Sequence, residues 1–117
     1  MDLTEFEKVI DDVLAELPDW VVDEIDNLVV VVEEEPSAAQ RRGHGNLLGL
    51  YEGVMLPHRG ESYFGAMPDK ITIFRQPHLR MRLAPDALRK QIRKTVLHEI
   101  GHHLGMSDER LHEIGWG

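Results

Sequence analysis

The 117-residue chain has no cysteine, which excludes disulfides, thiolate metal ligands and cysteine nucleophiles together. Long hydrophobic runs are missing too. The longest, Leu28 to Val32, is five residues, against the ~20 needed to span a bilayer. The start, Met1-Asp2-Leu3-Thr4-Glu5, has neither the basic residues nor the apolar stretch of a signal peptide. A cytoplasmic protein without a membrane partner is therefore expected. Basic residues are scarce in the first 35 positions, where Lys8 stands alone among thirteen acids. The remainder reverses this, with twelve bases against eight acids. The overall charge of −8 argues against nucleic acid as a partner, and the acidic stretch reads as solvated faces of ordinary elements. Length and composition fit one domain, 1–117, with a monomer as the default.

Hydrophobic periodicity predicts the elements. Leu3, Phe6, Val9, Ile10, Val13, Leu14 and Leu17 follow helical spacing until Pro18. The stretch from Trp20 to Ile25 is ambiguous. The β-branched run from Asn27 to Val32 suggests a strand buried on both faces. Ser37 to Gly45 reads as a loop or short helix, and Leu47 to Met55 as a strand weakened by two glycines. Pro57 to Pro68 reads as a loop, and Ile71 to Phe74 as a third strand that Pro77 interrupts. From Pro85 to Leu104 the row Leu88, Ile92, Val96, Ile100 steps by four and marks the buried face of a helix. Gly105 suits a left-handed stop, after which Ser107 or Asp108 can cap a short final helix. The expected fold class is α/β (α+β): an N-terminal helix, a small twisted sheet, a long helix and a short C-terminal helix.

The long helix contains His98-Glu99-Ile100-Gly101-His102. Residues four apart differ by only about 40° around a helix, so the two imidazoles meet one turn apart and can grip one zinc ion. Glu99 falls about 100° from His98, between the ligand edge and the apolar arc. A carboxylate there is partly shielded and near the metal without being forced to ligate it. Those are the needs of a general base acting on a metal-activated water. A catalytic zinc takes a third protein ligand and keeps one position open. Gly105 lets the chain turn back, and Asp108 follows three residues later as the candidate third ligand. His112, one turn further on, is the rival.

The other histidines have blander readings. His103 lies in the apolar arc and reads as a buried structural group. His44, His58 and His78 lie in unpatterned stretches. Trp20 and Trp116 read as packing residues, with Trp116 close enough in sequence to cover the site. The basic group Arg89, Lys90, Arg93 and Lys94 reads as the solvated outer face of the helix.

The string His98-Glu99-x-x-His102-x-x-Gly105-x-x-Asp108 is similar to the extended zinc signature of zincin metallopeptidases. The stretch Thr95 to Leu111, and Gly65 to Arg75 before it, resemble the small bacterial zincin-like metallopeptidases known as minimal metalloproteases. Nine residues follow Asp108 and none is methionine, so the methionine turn of the larger metzincin group has no counterpart after the signature. The resemblance implies a compact zincin-like core. It also implies one Zn²⁺ held by His98, His102 and Asp108, with Glu99 as catalytic base. The expected activity is hydrolysis of peptide bonds in a peptide or protein substrate. A zinc hydrolase of another class, such as an endoribonuclease, and a zinc-binding module without turnover remain open alternatives.

Overall fold

In a computed structural model, the described residues are 1–53 and 68–116. The predicted loop from Pro57 to Pro68, the end of the strand predicted to Met55, and His58 fall largely or wholly outside them. Helix α1, Leu3–Ala15, opens where the Asp2 side chain accepts the Glu5 amide at 2.8 Å. It buries Phe6, Ile10 and Val13, the inward members of the predicted stripe. The ambiguous acidic stretch forms α2, Asp19–Glu24, with Pro18 before its first turn. Strand β1, Leu28–Glu33, leads to the short helix α3, Ala38–Arg41, opened by a reciprocal capping box between Ser37 and Gln40. Strands β2, Gly49–Glu52, and β3, Asp69–Phe74, follow. Pro77 does not break the chain as its residue type suggests. It sits within α4, Arg75–Leu79, a helix of little more than one turn. Helix α5, Pro85–His103, and helix α6, Asp108–Glu113, complete the order.

The sheet runs β1-β3-β2, with β1 parallel and β2 antiparallel to β3. The expectation that β1 is buried on both faces is overturned. It is an edge strand, and Val29 is 40% exposed. The doubly buried strand is β3, which carries Ile71, Ile73 and Phe74 at 0% exposure. Five valines and leucines in a row raise strand propensity, but they do not say which position in the sheet the strand takes.

Ile71 and Ile73, two apart and so on one face, join Phe6, Ile10 and Val13 of α1 and Leu88, Ile92, Val96 and Ile100 of α5 in one core. Each such side chain contributes roughly 1.5–3 kcal/mol by leaving water. Helix α5 also packs on β2 and β3, so its inner face is anchored along its length. Its last turn therefore presents its side chains to one edge of the sheet. Among the described residues, no helix is long and apolar enough to cross a membrane.

Candidate metal centre

Two chain reversals build the site. Helix α5 stops in a Schellman turn, in which Gly105 N–H donates to His102 O and Met106 N–H to Gly101 O, both at 2.9 Å. Gly105 supplies the left-handed residue, with φ +86°. Ser107 then caps α6 by accepting the Arg110 amide at 3.1 Å, which puts Asp108 in the first helical turn. Helix α6 docks where α5 has no side chain. A Cβ on Gly101 would lie 2.0 Å from Leu111 Cδ2. Leu111 is fully buried at that contact, so the approach of α6 is fixed.

The result is convergence of His98, His102 and Asp108, whose candidate ligand atoms all lie within 4.8 Å of one another. His98 Nε2 and His102 Nε2 are 3.1 Å apart, and Asp108 Oδ1 is 3.2 Å from His102 Nε2 and 3.7 Å from His98 Nε2. Ligand atoms around a tetrahedral zinc stand about 3.4 Å apart, and the three separations bracket that value.

The proton positions point the same way. His98 Nδ1 donates to the Trp116 carbonyl at 3.2 Å, leaving the Nε2 lone pair facing inward. The Met106 backbone hydrogen-bonds the His102 ring in the sense that favours its charged form, so it acts as acceptor. With His102 Nε2 turned into the cluster, Nδ1 is the nitrogen left for that bond. Two imidazole nitrogens and a carboxylate oxygen then face one another, a donor set that suits a divalent cation. Burial, then the neighbouring His98, lower the His102 pKa and hold the ring in the neutral form a metal needs. The residues present thus fit zinc.

Glu99 is 8% exposed, next to the cluster. Burial first, then the negative charge of Asp108, raise its pKa to about 7, against a hydrogen bond from the Tyr51 backbone that lowers it. A dication on the adjacent donors pulls it back down. The Asp108 side chain is 83% exposed, so the cluster is open on the α6 side.

Opposite α5 lie His44, Leu47, Gly49, Leu50 and Tyr51, enclosing with the cluster a cavity of about 460 Å³. A second cavity of about 320 Å³ adjoins it between Asn46, Leu48, Gln91, Lys94 and Thr95, and it shares His44, Leu47, Gly49, His98 and Glu99 with the first. His44 is the site residue that sequence reasoning missed. It follows α3 with no periodic pattern, and only the folded chain brings it opposite Glu99.

The remaining candidates lie elsewhere. His103 is fully buried, with Nδ1 donating to Asp69 Oδ2 at 2.9 Å and Nε2 accepting the Asp26 amide at 3.2 Å. His78 is also fully buried, bonded to the Phe74 carbonyl and the Thr95 hydroxyl. His112 is exposed and outside the cluster. Lys94, read as solvated charge, lines the second cavity. The strand Ile71–Phe74 lies within β3 at the sheet's centre, paired on both sides. The edge beside the cluster is β2.

A mixed α+β core, two imidazoles one helical turn apart, a carboxylate from beyond the helix stop and a buried glutamate beside them describe the zincin class. A family model for zincin-like metallopeptidases matches residues 25–116, and the chain belongs to that family. No curated protein matches the chain.

Proposed function

We propose that the protein is a zinc-dependent peptidase in which His98, His102 and Asp108 hold the ion and Glu99 is the general base. The observation that carries this reading is the convergence of two imidazoles and a carboxylate beside a buried glutamate. Zinc, when bound, supplies Lewis acidity towards water and towards a carbonyl oxygen. Glu99 takes the proton from the attacking water and returns it to the leaving amine. The Asp108 carboxylate makes the donor set anionic, which leaves more of the proton removal to Glu99.

Among the described residues β2 is an edge strand that borders the cavity, so a peptide in extended conformation can add to it through main-chain hydrogen bonds. The Tyr51 hydroxyl on that wall is turned to Asp69 Oδ2 at 2.5 Å. His44 is then the wall's side-chain donor for the developing oxyanion. Its replacement by alanine lowers kcat by about 10²–10³-fold with zinc content unchanged. If kcat is untouched, His44 has no such role.

Metal analysis with peptide-library cleavage, for wild type and Glu99→Gln, tests the whole reading. The expected outcome is about one zinc in both proteins and cleavage only by the wild type. Zinc in both and cleavage in neither overturns the peptidase reading.

A further inference from the structure

Trp20 and Trp116 are the chain's only tryptophans, and they stack with ring centroids 6.2 Å apart and planes within 15°. We propose that this stack is a latch that sets zinc affinity through His98, with Trp20 as a positioning residue for a ligand it does not touch. The inference rests on the zinc assignment above and is independent of peptide hydrolysis.

The chain of contacts is short. The carbonyl that orients His98 belongs to Trp116, three residues beyond the end of α6. Helix α6 stops as α5 does, with Gly115 N–H on His112 O at 3.2 Å and Trp116 N–H on Leu111 O at 2.7 Å. The Trp116 main chain is thereby tied to a helix end, and its ring packs against the core. Helix α2 supplies the remaining support, because Trp20 covers the Trp116 ring while staying 51% exposed itself. A tryptophan so exposed adds little to the core, and its stack on Trp116 is the contact that gives it a task. Trp20 also lies outside the family-matched span, whereas Trp116 is its last residue.

Acceptors behind a metal-bound histidine are worth about 10–100-fold in metal affinity, because they fix the ring's tautomer and direction. A stacked aromatic pair contributes up to about tenfold in an equilibrium constant. Losing Trp20 should therefore remove part of the acceptor's effect and leave the ligands in place. Coupling is reciprocal, so zinc on His98 must in turn favour the stacked arrangement. The tryptophan pair makes that effect visible as an exciton band in circular dichroism.

The experiment is competition for Zn²⁺ between a chromophoric chelator and the wild type, Trp20→Ala or Trp20→Phe, with circular dichroism recorded during zinc titration. Trp20→Ala is expected to bind zinc about five- to tenfold more weakly, and Trp20→Phe within about threefold of wild type. The wild-type exciton band should strengthen with zinc, and His98→Ala should abolish that change. Unchanged zinc affinity in Trp20→Ala, or an equal loss in both Trp20 variants, overturns the latch while leaving the zinc assignment intact. A wild type that binds no zinc overturns both.

Discussion

His102 and His103 are neighbours on α5, and each faces an aspartate, yet their surroundings are opposite. Around His103 three polar contacts each pair a hydrogen with a lone pair: Nδ1–H meets Asp69, Nε2 meets the Asp26 amide, and the Tyr51 hydroxyl meets the same carboxyl. Exposure there is 0% for His103 and 2% for Asp69. Around His102, a second imidazole nitrogen and a carboxylate oxygen crowd the same ring nitrogen, and the aspartate is largely in water. The same residue types thus make a closed structural joint on one side of the helix and a candidate cation site on the other.

The largest effect that tests this contrast is on the closed side. Asp69→Ala removes the acceptor of the buried His103 N–H and the half-buried Tyr51 hydroxyl and should cost about 3–5 kcal/mol in urea unfolding, while the folded molecules keep their zinc affinity. Loss of zinc with stability preserved would mean that the two networks have exchanged roles. On the open side the pattern should invert. Asp108→Ala should weaken zinc by at least the ~10–100-fold of an outer-shell loss, because a direct ligand is gone, and leave metal-free stability nearly unchanged. Should His112→Ala lose zinc while Asp108→Ala keeps it, Asp108 is only a cap on α6.

The smallest effect concerns His78, a third histidine closed in like His103. Burial lowers its pKa below the ordinary value of 6.5, partly opposed by the Phe74 carbonyl. The unfolded chain then takes up this proton first, so stability falls as pH drops through about 6.5 and levels off below the folded pKa. The slope from this group cannot exceed about 1.4 kcal/mol per pH unit. Chemical unfolding at pH 7.5 and 5.5 should show a smaller pH loss in His78→Gln than in wild type. An identical loss would remove His78 as its source.

The open site was legible in the sequence because its parts lie on one helix and the turn after it. Spacing by four brings His98 and His102 together whatever the rest of the chain does, and Gly105 announces the reversal that returns Asp108. The same helical angles gave Glu99 a partly shielded position, and the folded chain buries it further, to 8% exposure. The closed joint was only half legible. His103 lies in the apolar arc, but its partner Asp69 comes from β3, 34 residues earlier, and no local pattern links them. The order of the strands was illegible for the same reason, since pairing is decided by tertiary packing. Trp116 was legible as a cover for the site, but not as the acceptor behind His98. Its contribution to His98 is a main-chain carbonyl, which every residue type possesses.

The parallel pairing of β1 with β3 has a consequence in time. It joins Leu28 to Asp69, and an interval of that length must close before a single rung of the ladder forms. Parallel, long-range pairing of this kind is a slow step in folding. By contrast, all three metal donors and Glu99 lie between positions 98 and 108, and helix formation proceeds in about 0.1–1 μs. Gathering the donors therefore needs only short-range closure, whereas the joint between Asp69 and His103 needs a long one. The candidate metal turn is thus a local structure, while the sheet that walls its cavity is a long-range one.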